Sequence, residues 1–333
     1  MASSDDGAAR TALKKAQDKQ TAAKVGYSVD KGWATIAIGD KNAQDAAKEA
    51  VEATAQGSLA DDGAFSRALG KMPEGQVAIA WANLEHLKQQ LTSGAGSEWF
   101  DGVDVKELSG DLTGQVLIGA QAASDGIELR MRIGGTKTKP SIPLDVLPSL
   151  TSMPANTAVG VAVAPGSAGG SAVDLGGLTK ALGTSGTDLV KAVVEAKLVT
   201  AILVPGSKAG VPAMKMAVDA QSQAAADLIA KNLQSISGSS QVKVDRNGTK
   251  TEVSTTGFPQ GSGSLGDQQQ YRTAMAGMPS PAAAVLYLNV SSLFDATGGS
   301  AEDRRQLGPL KSLGVGLGLD DGDAVLLARA VIQ

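Results

Sequence analysis

Short runs of alternating apolar and polar residues recur along the chain, and most of them come in pairs. Such alternation is typical of β-strands with one buried face, and a pair joined by turn residues predicts a hairpin. Asn247-Gly248, within 241–255, is the strongest two-residue turn signal in the chain. The other predicted hairpins are 25–40, 113–134, 197–220 and 313–332.

Stretches of good helix formers lie between the predicted strands. The segment 41–57 is rich in Ala, Glu and Lys and stops at Gly57, which predicts a helix. A second helix is expected around 64–72 and a third at 221–236, directly after a hairpin.

Three segments have the composition of connectors or of a lead-in. Residues 1–24 are polar and dotted with lysine, and we expect a polar helical lead-in there. The Gly/Ser-rich stretches 165–177 and 255–270 are expected to be loops.

One motif recurs along the chain: a short helix, Met-Pro, an apolar strand, and a polar residue that starts the next helix. Residues 65–87 align without gaps to 271–293, and 145–164 is a less clear third copy. The aligned pairs include Phe65 with Tyr271, Trp81 with Tyr287, and Asn83 with Asn289. We expect the strands of the three copies to be buried and structurally equivalent; they are 76–83, 157–164 and 282–289.

Together these elements predict an α+β protein of repeated helix–strand–helix–hairpin units. The expected sheet is largely antiparallel, with helices packed on one face. After the lead-in at 1–24 we expect a first repeat region at 25–140 and a second at 141–240. A hairpin, a Gly/Ser linker and a third repeat region would then fill 241–333, or 25–333 would be one continuous repetitive domain.

The start of the chain has the form of the middle of a repeat. A hairpin and helix at 25–57 match those at 197–236, but the latter follow a Met-Pro strand. We therefore expect the native protein to contain a preceding unit, and the stretch 25–40 to present an unpaired edge. The residues expected to be partly uncovered, or covered by another copy of the protein, are Trp33, Ile36 and Ile38.

Composition removes several classes of function. The 333 residues include no Cys and one His, which excludes disulfides, thiolate metal sites and multi-histidine metal cages. A net charge of −4 gives no electrostatic basis for binding nucleic acid. No run of about 18 consecutive apolar residues is present to span a bilayer, and the N-terminus has no secretory signal.

Candidate chemistry is sparse. His86 stands beside Glu85 but aligns with Ser292 of the repeat, so we interpret it as a dispensable surface or first-turn residue. The acidic run Asp320-Asp321-Gly322-Asp323 lacks the spacing of a calcium loop and is interpreted as a solvated hairpin turn.

The glycines at 314, 316 and 318 alternate with Val and Leu. No helix start follows them, as a nucleotide-binding fingerprint would require, so they indicate a strand packed closely against a helix. We therefore assign no catalytic, cofactor-binding or metal-binding residue, and we expect no cofactor.

The repeated unit, with Met-Pro or Leu-Pro before an apolar strand that ends in Asn or Asp, resembles the bacterial family of domains of unknown function numbered 3352. The segments 32–69 and 310–332 resemble that family as well, and the resemblance extends over most of 25–333. It implies an actinobacterial arrangement of a cytoplasmic Pro/Gly-rich tail, one membrane-spanning helix and an extracytoplasmic repetitive domain without assigned activity. The sequence departs from that arrangement at its start, where neither the anchor helix nor the first strand unit is found.

The expected function is that of a non-enzymatic, extracytoplasmic cell-envelope domain that binds or scaffolds, membrane-anchored in the full-length protein. The alternative is a carrier or sensor of an apolar, lipid-like ligand held between sheet and helices, because the eight Met residues could line an adaptable cavity. A hydrolase that uses scattered Asp and Glu has no residue pattern in its favour. The expected partners are a cell-envelope protein, a lipid-like ligand or another copy of the chain through an uncovered edge, and not nucleic acid.

Overall fold

A computed structural model describes residues 24–30, 33–39, 43–53, 59–85, 113–136, 141–165, 196–208, 210–236, 242–259 and 261–332. Its contacts divide the chain into two compact units, residues 1–81 and 82–333. The divisions that the sequence places near 24, 140 and 240 stay predictions.

Strands dominate the described residues. They are β1 (Lys24–Asp30), β2 (Trp33–Gly39), β3 (Gln76–Asn83), β4 (Gln115–Ala123), β5 (Gly126–Gly134), β6 (Val159–Val163), β7 (Leu198–Pro205), β8 (Pro212–Asp219), β9 (Val242–Asn247), β10 (Lys250–Thr255), β11 (Ala282–Asn289), β12 (Leu310–Asp320) and β13 (Asp323–Ile332).

The described helices have between 5 and 14 residues, and two further segments form single 3₁₀ turns at Leu59–Asp61 and Leu265–Asp267. The helices are α1 (Ala43–Ala53), α2 (Gly63–Leu69), α3 (Leu147–Thr151), α4 (Gln223–Ile236), α5 (Gln269–Ala274), α6 (Val290–Thr297) and α7 (Ala301–Leu307).

The strands form two sheets. β1 and β2 pair with each other, and the remaining strands follow the order β3-β4-β5-β13-β12-β11-β6-β7-β8-β10-β9, where β3 crosses the boundary between the two compact units. From β4 to β9 every neighbouring pair is antiparallel. The predicted α+β class with a largely antiparallel sheet is therefore confirmed at this level.

All five predicted hairpins are confirmed: β1–β2, β4–β5, β7–β8, β9–β10 and β12–β13. In the β9–β10 hairpin Asn247 pairs with Lys250, so the two-residue loop is Gly248-Thr249, one residue later than the predicted Asn247-Gly248, and Gly248 has a φ of 60°. In the β12–β13 hairpin Asp321 and Gly322 both have positive φ. Glycine and Asp tolerate the left-handed conformation that a two-residue loop requires, which is why the sequence located both hairpins.

The three predicted helices are confirmed as α1, α2 and α4. Asp62 caps α2, because its Oδ1 accepts a hydrogen bond of 2.7 Å from the Ala64 amide. The stretch 255–270 is more ordered than the predicted loop, since Ser264 caps the 3₁₀ turn and Leu265 is buried in the main core. Residues 1–23 and 166–177 lie outside the described part of the chain.

The main core lies between one face of the sheet and the helices α3 and α5. Its largest members include Leu150, Tyr271, Tyr287 and Leu327. A second, smaller core lies where α4 covers the opposite face of the sheet over β10 and β9, and its members include Ile229 of α4 and Val218 of β8. The expectation of helices on one face is therefore wrong, because α4 returns to the other side of the sheet after the β7–β8 hairpin.

The expectation that all three Met-Pro strands are buried is also wrong. Strands form at all three places, as β3, β6 and β11. On β11, however, Val285 and Tyr287 are buried, whereas on β3 Val77 is 68% exposed and Ile79 is 45% exposed.

Candidate functional site

Six neighbouring strands of the main sheet have two very different faces. Successive side chains of a strand point to opposite sides, so the registers assign each residue of β4, β5, β13, β12, β11 and β6 to one face. The side that bears α3 and α5 is called the covered face, and the other side the apolar face. The apolar face is formed by Val116, Ile118, Ala120, Ala122, Ile127, Leu129, Met131, Ile133, Leu326, Ala328, Ala330, Ile332, Leu313, Val315, Leu317, Leu319, Ala284, Leu286, Leu288, Val159, Val161 and Val163.

No residue of the apolar face is charged, and none of them is buried. Ile127 is 53% exposed and Leu129 is 44% exposed. Further along the same side of the sheet, where α4 packs, Val218 is fully buried and Thr251 is 1% exposed. The apolar face is therefore the part of this side of the sheet that α4 does not cover.

The covered face is shaped for close approach of helices. Gly314, Gly316 and Gly318 all lie on this face of β12, beneath α5 and the Met-Pro segment that follows it. A Cβ at Gly316 would lie 2.7 Å from the Met278 sulfur. The prediction that these glycines mark a strand packed closely against a helix is confirmed.

The polarity of β5 is the reverse of what solvent exposure would favour. Its charged side chains, Glu128, Arg130 and Arg132, lie on the covered face, and Arg132 is 3% exposed. Its aliphatic side chains, Ile127 and Leu129 among them, lie on the apolar face. A strand that hides its charges and exposes its aliphatic residues is unusual unless something binds the exposed side.

Ion pairs compensate the buried charges. Arg132 donates from Nη1 to Asp320 at 2.5 Å and from Nη2 to Asp323 at 3.2 Å. Arg329 on β13 donates to Asp125 at 2.9 Å. The Arg132 contacts fix the β12–β13 turn to β5. The acidic run is a hairpin turn as predicted, but two of its carboxylates are paired with a buried arginine.

Two tyrosines meet edge to face in the main core. Their ring centroids are 5.2 Å apart, and the Tyr271 hydroxyl lies 2.9 Å from the Thr151 hydroxyl. Burial raises the pKa of Tyr287 to about 12, and burial also raises the pKa of Tyr271. Neither phenol is thereby prepared to act as a base near neutral pH.

A groove lies between α3 and the floor formed by β7, β8 and β10. Its volume is about 440 Å³, and Lys215, Glu252 and Asp219 project from its floor. Lys215 Nζ lies 2.6 Å from Glu252 Oε1. Since an apolar ligand would have to desolvate these charges, this groove is poorly suited to a lipid chain.

Four residues singled out in the sequence are wholly or partly outside the described part of the chain. His86 lies outside the described residues, and so do the side chains of Trp33, Ile36 and Ile38. Among the residues that are described, no group of three or more acidic or histidine side chains is arranged to hold a metal ion. No described helix is both long and apolar enough to cross a membrane.

Comparisons of the chain with protein-family models, with curated proteins and with solved structures give no match.

The sequence pattern does not single out the apolar face. Residues 127–133 alternate between charged and aliphatic side chains, but alternation by itself does not determine which of the two sets meets the helices. A usable signal was the composition of the neighbouring strand: the glycines of β12 fall on one face only, and that face must receive the helix.

Proposed function

We propose that this chain is a non-enzymatic binding or scaffolding domain of the bacterial cell envelope, and that it engages another envelope protein through the apolar face. The resemblance to the family of domains of unknown function numbered 3352 supports the extracytoplasmic location and the membrane anchor in the full-length protein. The apolar face supports a role in binding.

One observation carries the proposal: Ile127 and Leu129 are about half exposed on a strand whose charged residues are buried. Monomeric soluble proteins rarely expose contiguous apolar patches larger than a few hundred Å² unless a partner uses them. A face without charge would bind through burial of aliphatic side chains, and such binding depends little on ionic strength.

Photo-crosslinking in the native host tests this proposal. A photoreactive residue replaces Leu129 on the apolar face or, as the control, Lys243, an exposed residue of β9. We expect a discrete adduct with an envelope protein from position 129, unchanged in high salt, and none from position 243. A lipid adduct at 129 would instead indicate that the apolar face binds lipid and not protein, and no adduct at 129 would contradict a binding role for the apolar face.

We also propose that the sheet contains three copies of one helix–strand–hairpin unit. The copies are α2 with β3, β4 and β5; α3 with β6, β7 and β8; and α5 with β11, β12 and β13. The sheet order supports this, because the first strands β6 and β11 are neighbours, and the last strands β5 and β13 are neighbours.

Two aligned ring pairs support the repeat further. Phe65 meets Trp81 edge to face with centroids 5.8 Å apart, and Tyr271 meets Tyr287 in the same way at 5.2 Å. Double-mutant cycles to alanine should give both pairs a coupling of about 0.5–1.5 kcal/mol in unfolding free energy. A coupling for one pair alone would argue against equivalence of the first and third copies.

A further inference from the structure

The two edges of the main sheet differ in chemistry. The last strand, β9, carries Lys243, Asp245 and Arg246 as exposed residues, and such charges discourage another strand from pairing. The strand at the opposite edge, β3, contains no charged residue. No described strand lies on the outer side of β3.

The pairing of β6 with β11 shows how strands of this type associate. Val161 faces Leu286, and each is the eighth residue after the methionine of its Met-Pro, Met153 and Met278. The flanking hydrogen bonds obey the same symmetry: the Asn289 amide donates to the Ala158 carbonyl at 2.7 Å. The Ala164 amide donates to the Ala283 carbonyl at 2.8 Å. The two strands are therefore related by a local two-fold axis at the eighth position.

The helices on the covered face also meet near this axis. Thr151 of α3 contacts Tyr271 of α5 through their hydroxyl groups, and both helices belong to the main core. As a result, the residues of β6 and β11 that lie on the covered face are buried. At the fifth position after methionine, Ala158 is fully buried and Ala283 is 5% exposed; at the seventh, Val285 is 2% exposed.

On β3 the same positions are open. Val77, fifth after Met72, is 68% exposed, and Ile79, the seventh, is 45% exposed. β3 has the residue types of a paired first strand and its own helix α2, but within the described residues it lacks the second strand and second helix that bury these positions on β6 and β11.

We propose that β3 pairs antiparallel with β3 of a second copy of this chain, in a symmetric dimer. The eighth residue after Met72 is Ala80, so Ala80 faces Ala80 of the second copy, and Ala78 faces Ala82. A symmetric dimer reproduces the register of β6 with β11, because a two-fold axis places the same position of each copy opposite itself. This inference depends on the proposed repeat and not on the partner of the apolar face.

Single-cysteine variants test the register, since the chain has no cysteine of its own. On β6 and β11 the odd positions after methionine exchange hydrogen bonds, so the eighth position is a non-hydrogen-bonded pair, with Cα atoms about 4.5 Å apart. That spacing lies within the range of about 4.4–6.8 Å for disulfides. Ala80→Cys should therefore form a covalent dimer under mild oxidation.

Ala78→Cys is the matched control, because it is the same residue type on the same exposed strand. In the proposed register position 78 of one copy faces position 82 of the other. Two cysteines introduced at position 78 would therefore lie four residues apart along the strand, about 13 Å, which is too far for a disulfide. A mixture of Ala78→Cys and Ala82→Cys chains should crosslink as a heterodimer. Equal crosslinking of Ala80→Cys and Ala78→Cys would overturn the proposed register.

A charged variant gives an independent measurement. Val77→Lys places a cation on the outer strand at a side chain that is already exposed, so circular dichroism should not change, and melting should not change at concentrations where both chains are monomeric. Sedimentation equilibrium should show a dimer for the parent chain and at least a tenfold higher dissociation constant for Val77→Lys. A parent chain that stays monomeric at high concentration, or a variant that dimerises equally well, would overturn the dimer. Neither result would alter the crosslinking expected at Leu129.

Discussion

Tyr287 illustrates how burial of one polar side chain makes stability depend on pH. Its ring is fully buried at the centre of the main core, and burial raises the pKa to about 12 from an ordinary value of 10.0. The folded state therefore keeps the proton to a higher pH than the unfolded state. The corresponding stability is complete below pH 10 and is lost as the pH rises from 10 to about 12.

Tyr287→Phe should make the alkaline loss of stability less steep. The variant has no phenol to ionise in the unfolded chain, so its unfolding free energy should fall less between about pH 9 and pH 11 than that of the parent. Urea denaturation at a series of pH values measures this. Tyr271→Phe should act in the same direction, because burial raises the pKa of Tyr271 too. Variants that lose stability as steeply as the parent would contradict this explanation.

Gly318 is required by the close approach of the segment after α5 to β12. A Cβ at this position would lie 2.5 Å from the Pro281 carbonyl oxygen and 2.8 Å from Pro279 Cβ, and neither atom can move easily. Gly318→Ala should therefore lower the unfolding free energy by about 1–3 kcal/mol. The control is Gly70→Ala after α2, where φ is −62° and the nearest atom would be 3.4 Å away. That variant should be neutral or slightly stabilising in chemical denaturation.

At the scale of the elements, β5 and β13 decide which face of the sheet is the interior. Leu327 of β13 is fully buried on the covered face, and Leu129 of β5 is 44% exposed on the apolar face. The two residues are chemically identical and lie on neighbouring strands. They therefore form a direct comparison of the two faces.

Leu129→Lys should change the unfolding free energy by no more than about 0.5 kcal/mol, because the ammonium group remains in solvent. Leu327→Lys should destabilise the fold by several kcal/mol, or prevent folding, because it buries an unpaired charge. Thermal and urea unfolding of both variants measure the difference. A large loss for Leu129→Lys would mean that the apolar face is an internal surface, and would remove the basis of the proposed binding role.

At the scale of the whole molecule, the order of the strands predicts a gradient of local stability. β6, β11 and β13 are central in the main sheet and contribute residues to the main core, and β12 lies between β11 and β13. β9 is at the edge and carries exposed charges. Elements with few buried contacts open at a lower free energy than the centre of a core.

Hydrogen exchange followed by mass spectrometry should therefore show the slowest exchange in peptides from β11 and β12. Peptides from β9 should exchange fastest among the strands of residues 82–333. Comparable protection of β9 and β11 would contradict the assignment of the core to the covered face. Protection of β3 that increases with protein concentration would agree with the proposed dimer.

Much of the local structure was predictable from sequence. The positive φ of Gly248 and Gly322 follows from the two-residue turns that those glycines make possible, and α4 follows from a long run of good helix formers. The packing of β12 against a helix also followed from its glycines. Because glycines at alternate positions leave one face of the strand without side chains, a helix can approach that face closely.

What only the tertiary structure decided is which strands are neighbours and which face is covered. The alternation of β5 is the same whether Glu128 and Arg132 or Ile127 and Leu129 meet solvent; the choice depends on ion pairs with Asp320 and Asp323, about 190 residues away in the sequence. Exposure of Val77 and Ile79 likewise depends on whether a second strand and helix lie beside β3. By itself the sequence determined turns, helices, strands and close contacts, because those depend on neighbouring residues. The tertiary structure decided strand pairing and the apolar face, because those depend on burial summed over distant segments.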